Sequence, residues 1–196
     1  MGIHADLREK KRRAVFLDRD GTVIRQVELL HNPSELRIFP SASKAIKQIN
    51  KLGYIVVIIT NQPVVAQGIM GPAEVDKIHA LLIDRLGKHG AKIDAVYFCP
   101  HHPNASIKKY RVVCRCRKPR PGMILRAAKE HGIDLKKSFF VGDSTQDTLA
   151  ANRAKVKMIL VKTGHGGKDS WQHGGTPDFT AKNLTEATKI ITKLSK

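Results

Sequence analysis

Short apolar runs that end in breakers alternate along this chain with longer stretches in which apolar residues recur at helical spacing. Ala14 to Leu17 is apolar throughout and runs into the Asp18-Arg19-Asp20-Gly21-Thr22 turn, the pattern of a strand buried on both faces of a parallel sheet. Tyr54 to Ile59, Ile93 to Phe98, Ser138 to Val141 and Val156 to Val161 repeat that pattern. Between them the spacing predicts helices. One runs from about Ser41 to Lys51, opened by Pro40-Ser41 and closed by Gly53, with Ala45, Ile46 and Ile49 facing inward. Others cover Pro72 to Gly87, where Val75, Ile78, Leu81, Leu82 and Leu86 recur, then Pro121-Gly122 to about Glu130, Thr145 to Arg153, and Leu184 to Leu194. Val23 to Ile38 reads as irregular around an Asn32-Pro33 turn, and a loop precedes Gly71. Gly164 to Gly175 reads as a surface loop with solvated His165 and His173. Strand and helix alternate throughout, which predicts an α/β fold: a Rossmann-like, doubly wound parallel sheet with helices on both faces.

The length of 196 residues suits one domain spanning 1–196, with residues 1–12 as a basic tail. No run approaches the ~20 apolar residues of a membrane span, and the first residues lack the apolar core of a secretory signal. The expectation is a cytoplasmic, monomeric protein with no membrane partner. The formal net charge of +18 favours anionic partners, either phosphorylated small molecules or nucleic acid. Basic residues are spread along the chain, including Lys182, Lys189, Lys193 and Lys196, which describes a basic surface more than a groove. The Lys10-Lys11-Arg12-Arg13 run reads as a solvated tail.

Three predicted strands end in polar signals: Asp18 and Asp20, Thr60-Asn61, and Gly142-Asp143 with Asp147. In a parallel sheet these ends share one edge, where open α/β sheets bind ligands. A bare Asp-x-Asp-Gly also simply closes a strand, but the convergence of several such ends favours chemistry. Two carboxylates this close resist joint ionisation without a cation or a raised pKa, and Asp18 and Asp143 can meet at a hard cation such as Mg²⁺. A metal-bound carboxylate can act as a nucleophile while its neighbour serves as a proton donor. Thr60 offers a hydroxyl and a main-chain N–H to phosphate oxygens, and Lys118 a compact positive charge.

All three cysteines lie between Cys99 and Cys116. Cys99-Pro100-His101-His102-Pro103 followed by Cys114-Arg115-Cys116-Arg117-Lys118-Pro119 has the ligand types and spacing of a closed structural Zn²⁺ site. We assign Cys99, His101, Cys114 and Cys116 to it, preferring His101 to His102. Such a site would pin the loop that carries Arg117 and Lys118.

Asp18-x-Asp20-Gly21-Thr22, Thr60-Asn61-Gln62, Lys118 and Gly142-Asp143-x-x-x-Asp147 together resemble the haloacid dehalogenase superfamily of phosphatases, over nearly the whole chain. The resemblance implies that Asp18 attacks phosphorus, Asp20 protonates the leaving alcohol and then activates water, and Thr60 and Lys118 stabilise the phosphoryl group. It places Mg²⁺ between the Asp18 carboxylate, the Asp20 main-chain carbonyl and Asp143, gives Asp147 an orienting role, and puts Asn61, Gln62 and Ser144 at the substrate. The zinc segment, with twelve residues between His101 and Cys114, resembles the heptose-bisphosphate phosphatase group, in which the Arg117 position recognises the substrate's second phosphate. A phosphorylated sugar is the expected substrate.

The chain departs from that group at Arg25 to His31, at Pro63-Val64 and at Ser144, positions that bear on substrate rather than on nucleophile or metal. Histidinol phosphate or another small phosphate ester is the alternative substrate. A nucleic-acid 3′-phosphatase suits the charge but not the zinc loop, and an idle nucleic-acid-binding protein could use both but leaves intact Asp18, Asp20, Thr60, Lys118 and Asp143 unexplained.

Overall fold

A computed structural model of the chain describes residues 11–171 and 174–195. Its framework is a six-stranded, all-parallel sheet formed by β1 (Ala14–Leu17), β2 (Ile55–Asn61), β3 (Ala95–Cys99), β4 (Phe139–Gly142), β5 (Lys157–Val161) and β6 (Phe179–Ala181). The strands lie in the order β3-β2-β1-β4-β5-β6, so β1 is central between β2 and β4. Six α-helices accompany them: α1 (Ala42–Lys51), α2 (Pro63–Ala66), α3 (Pro72–Gly87), α4 (Gly122–Glu130), α5 (Thr145–Ala154) and α6 (Leu184–Leu194).

Successive strand residues point to opposite faces, and β1 divides the core accordingly. Val15 and Leu17 pack with Ile46 and Ile49 of α1, Leu82 of α3 and Ile191 of α6. Ala14 and Phe16 pack with Met123, Ile124 and Ala127 of α4 and with Ala150 and Ala151 of α5. Both faces of the central strand are thus dry, which is why its apolar run does not alternate.

Several boundaries move for identifiable reasons. β2 runs on through Thr60 and Asn61, which pair in register with Phe98 and Cys99. β3 starts only at Ala95, because the Asp94 side chain takes the Val56 N–H at 2.8 Å. The expected loop before Gly71 contains the short α2, with Pro63 in its first turn, where a missing N–H costs nothing. The irregular Val23 to Ile38 segment folds back on the first turn through bridges from Ile24 to Asp20 and to Ile38.

β6 is three residues long and appears in no period-2 pattern; its pairing with β5 creates it. Residues 1–10 of the expected basic tail lie outside the described residues. Arg12 belongs to the fold, since its N–H donates to the Gly132 carbonyl and its own carbonyl accepts from Asp134 N–H. No helix among the described residues is long and apolar enough to cross a membrane.

Phe16 is fully buried directly below the Asp18 turn and its ring stacks near that of Phe140, centroids 6.4 Å apart. Phe16→Ala leaves a cavity there and is expected to lower unfolding free energy by about 3–5 kcal/mol, read from denaturant melts.

Candidate active site

The carboxyl ends of β1, β2 and β4 meet at one cavity of about 510 Å³ lined by Asp18, Asp20, Thr60, Lys118, Asp143 and Ser144, among others. β1 delivers Asp18, whose N–H still donates to Val141 of β4. The chain then turns sharply at Gly21, with φ +76°, and here glycine is required twice over. A Cβ on Gly21 would lie 2.2 Å from Asp143 Oδ2, and one on Gly164, also at positive φ, would lie 2.0 Å from the same atom. The two glycine backbones close around the Asp143 carboxylate.

Asp18, Asp143 and Asp147 are all buried, and each presents a carboxylate oxygen within 4.8 Å of the others. Lys118 threads its ammonium among them, with Nζ 2.7 Å from Asp18 Oδ1, 2.6 Å from Asp147 Oδ1 and 3.0 Å from the Ile59 carbonyl. Burial, then the Asp147 charge, push the Asp18 carboxyl up to about 7 despite Lys118. Burial, then Asp18 and Asp147, push Asp143 up to about 9, against the His165 N–H that hydrogen-bonds it. Burial alone would lower the Lys118 ammonium, but Asp147 and Asp18 outweigh it and hold it above its ordinary value.

An all-oxygen donor set carrying more negative charge than one ammonium can offset suits a hard divalent cation. Asp18 and Asp143 could hold it. Asp147 is committed elsewhere: its Oδ2 accepts from Ser144 N–H and Oγ–H at the start of α5, and its Oδ1 pairs with Lys118.

Three expected substrate residues line the cavity but spend their side chains internally. Asn61 joins the segment that follows the cysteines to β2, its Nδ2 donating to the Lys118 carbonyl and to Gln146 Oε1 while its Oδ1 accepts from Lys118 N–H. Gln62 Nε2 donates to Thr60 Oγ1 and Asp20 Oδ2, and its Oε1 accepts from Arg19. Ser144 caps α5. Thr60 is buried at the floor, and Arg117 lies on the wall, its Nη1 donating to the His101 carbonyl at 3.0 Å.

Next to Arg117 the thiols draw together. Cys116 Sγ is 3.2 Å from both Cys99 and Cys114, and those two are 3.5 Å apart. His101 Nδ1 lies 3.6 Å from Cys99 and 3.4 Å from Cys116. Ligands around a tetrahedral Zn²⁺ stand about 3.5–3.8 Å apart, so these four atoms could hold that ion with slight expansion. His102 points elsewhere, accepting from Asn104 N–H and lining the cavity. Hydrogen bonds from Cys99, Cys114 and His101 pull the Cys116 thiol down to about 5, against burial.

The surface-loop reading of Gly164 to Gly175 needs correction over 164–171. His165 N–H donates to Asp143 Oδ2 at 2.6 Å, and Gly167 N–H to the Asp143 carbonyl at 2.7 Å. Just before the loop, Thr163 Oγ1 donates to the Gly21 carbonyl. Asp169 is 2 % exposed and accepts from Thr145 at the start of α5, while Ser170 and Trp171 line the cavity mouth. His165 is half-buried against Trp171 rather than solvated; His173 lies outside the described residues. Sequence reasoning also missed Arg19, Gln146 and His79. An arginine between two aspartates and a histidine within an apolar helical stripe were the available signals.

The HAD-hydrolase-like family model matches residues 115–187. A D-glycero-β-D-manno-heptose-1,7-bisphosphate 7-phosphatase of Rhodopseudomonas palustris is 44 % identical over 146 residues, 74 % of this chain and 81 % of that protein. The enzyme of the same name from Escherichia coli K12 is 36 % identical over 152 residues, covering 77 % and 80 %. The crystal structure of D,D-heptose 1,7-bisphosphate phosphatase from B. bronchiseptica, complexed with magnesium and phosphate, superposes with a TM-score of 0.81 at 31 % identity, covering 93 % of this chain and 99 % of that one.

Without a divalent cation, the folded protein keeps protons on Asp18 and Asp143 at pH values where the unfolded chain has lost them. These two groups therefore cost stability as pH rises from about 4 to about 7 and about 9 respectively. A bound cation replaces the protons, so its stabilisation grows with pH. The rise in Tm on adding Mg²⁺ is expected to be larger near pH 8 than near pH 5.5, measured by thermal melts with and without the ion. Separately, metal analysis of purified protein is expected to find about one Zn²⁺ per chain, and a strong chelator to lower Tm.

Proposed function

From the premise that the chain belongs to the haloacid dehalogenase-like hydrolases and is a phosphatase, we propose that it removes the 7-phosphate of D-glycero-β-D-manno-heptose 1,7-bisphosphate. The observation that carries this reading is the convergence of Asp18, Asp20, Thr60, Lys118 and Asp143 on one cavity, with Arg117 on its wall and the cysteine cluster bonded behind Arg117.

In this reading an Asp18 oxygen attacks phosphorus as the bond to the sugar oxygen breaks, giving an aspartyl-phosphate. Asp20 hands its proton to the leaving alkoxide, then takes one from the water that attacks the aspartyl-phosphate, which frees phosphate and restores Asp18. Thr60 offers its hydroxyl to the equatorial oxygens, and Lys118, its three donors engaged by Asp18, Asp147 and the Ile59 carbonyl, lends its positive charge; positioning and electrostatics of this kind supply most of the acceleration. Lys118 also favours the ionised form of Asp18, against burial and the Asp147 charge, and holds its carboxylate in place. Mg²⁺, held by the Asp18 carboxylate, the Asp20 main-chain carbonyl and Asp143, would supply charge neutralisation for nucleophile and phosphoryl group together. Zn²⁺ at Cys99, His101, Cys114 and Cys116 would fix the segment from which Arg117 reaches the substrate's second phosphate.

The monomer is the form proposed to act. Asn61, Gln62 and Ser144 then act by holding Lys118, Asp20 and Asp147 rather than by touching substrate. The cavity, walled by Arg117, His102 and Trp171, favours a compact sugar phosphate over a nucleic-acid strand.

Phosphate release from heptose bisphosphate, histidinol phosphate and a 3′-phosphorylated oligonucleotide should favour the first by at least tenfold in kcat/KM, and Asp18→Asn should remove about a thousandfold or more of that activity. Arg117→Ala should raise KM for the bisphosphate about 10- to 100-fold, the loss of one charge-assisted contact, with little change for a monophosphate ester. Preference for another substrate in the panel would refute the heptose assignment; wild-type turnover by Asp18→Asn would refute the mechanism.

A further inference from the structure

Arg19 is the bulkiest side chain that the fold buries fully, at 1 % exposure, and the reaction as described does not use it. A buried guanidinium is tolerated only when its donors are spent. Here Nε donates to Asp20 Oδ2 at 3.1 Å and Nη2 to Asp20 Oδ1 at 3.2 Å, a fork across both oxygens of one carboxylate. Nη2 also donates to Gln62 Oε1 at 2.8 Å. The remaining arm, Nη1, meets His79 Nε2 at 3.1 Å.

An arginine neither accepts a hydrogen bond nor gives up its proton in a protein. His79 Nε2 must therefore be the acceptor, and the imidazole is neutral with its proton on Nδ1. Burial, then the Arg19 charge, agree with this by holding His79 down to about 3. His79 is 4 % exposed on α3, among Val75, Ile78 and Leu82 of the core-facing stripe, and its ring packs against Phe98 at 5.5 Å. Leucine would fill that place in the stripe equally well. What the imidazole adds is an acceptor aimed at Arg19.

We propose that His79 is a positioning residue for the dephosphorylation: by accepting from Arg19 it fixes the guanidinium whose fork sets where the Asp20 carboxyl meets the leaving oxygen. This rests on the reading of Asp20 as the proton donor. Asp20 Oδ2 accepts from both Arg19 Nε and Gln62 Nε2, whereas Oδ1 accepts from Arg19 Nη2 and keeps a second lone-pair direction, so Oδ1 can carry the proton that passes to the alkoxide as the phosphorus–oxygen bond breaks and the Asp18–phosphorus bond forms.

The test compares leaving groups. Up to release of the alcohol, kcat/KM reports the first half-reaction; a primary-alkyl phosphate such as the heptose bisphosphate needs the proton there, whereas p-nitrophenyl phosphate expels a stable anion without it. His79→Leu is expected to lower kcat/KM for the alkyl ester roughly tenfold, a fraction of the 10²–10⁴ available to general acid catalysis, and for the aryl ester several times less. His79→Gln, whose Oε1 can accept from Nη1, should restore most of the loss. Asp20→Asn in the same assay should show the same selectivity at larger size.

Equal losses for both esters in His79→Leu, or none, beside a selective Asp20→Asn would overturn the proposal and leave His79 as packing. An unselective Asp20→Asn would sink the assignment of Asp20 itself, and the proposal with it. Melting curves check folding. If His79→Leu does not fold, Arg19→Lys, which keeps the charge but loses the fork, must show the same selectivity for the proposal to stand.

Discussion

One ammonium among three buried carboxylates is the constraint on which the rest of this structure depends. Asp18, Asp143 and Asp147 come from the ends of neighbouring strands and from the first turn of α5, and together they would repel one another apart in a low-dielectric interior. Lys118 offsets part of that repulsion, at 2.7 Å from Asp18 and 2.6 Å from Asp147. Part remains, and it is visible as the raised pKa values of Asp18 and Asp143. That remaining repulsion suits a divalent cation, at the place where the proposed phosphate chemistry needs one.

Lys118 can serve in this way only if its backbone is held. It follows the cysteine cluster by two residues, and the main chain on either side is tied down: Arg117 N–H to Cys114 Sγ, Lys118 N–H and C=O to the Asn61 amide. The soft-ligand cluster and the hard-ligand cluster are thus linked through two residues of chain. The first has no direct role in bond breaking, but it determines where the ammonium and the Arg117 guanidinium stand. A similar division separates Asp20 from its support, since Arg19, Gln62 and His79 form a buried polar chain whose outward end is a carboxyl facing the cavity.

The glycines of two distant segments complete the arrangement. Gly21 and Gly164 approach so closely around Asp143 that neither tolerates a Cβ, which draws the loop after β5 onto the site. That loop contributes the His165 N–H to Asp143 and carries Ser170 and Trp171 to the cavity mouth. Its sequence, rich in glycine and polar residues, carries the signature of an exposed connection, and nothing local distinguishes it from one. The contacts that order it are non-local, with Asp143 and Thr145 at separations of 22 and 24 residues and, beside it, with Gly21 at 142.

The sequence by itself determined the parallel α/β architecture, because unbroken apolar runs such as Ala14 to Leu17 are stable only when dry on both faces. It also determined the chemistry-bearing pairs, because Asp18 with Asp20 and Cys114 with Cys116 are separated by a single residue and stay near each other in any fold. Tertiary structure alone decided which polar side chains face the cavity and which are consumed in holding it. Asn61 and Gln62 look like substrate contacts by position, yet they bond to Gln146 and Asp20 from distant parts of the chain, while Ser144 bonds to Asp147 of the helix it caps. Arg19 and His79 look like an ordinary basic residue and a helix position, yet they meet across sixty residues of chain. A hydrogen bond's partner is a property of three-dimensional neighbours, and for buried polar groups that neighbour is what separates a ligand from a brace.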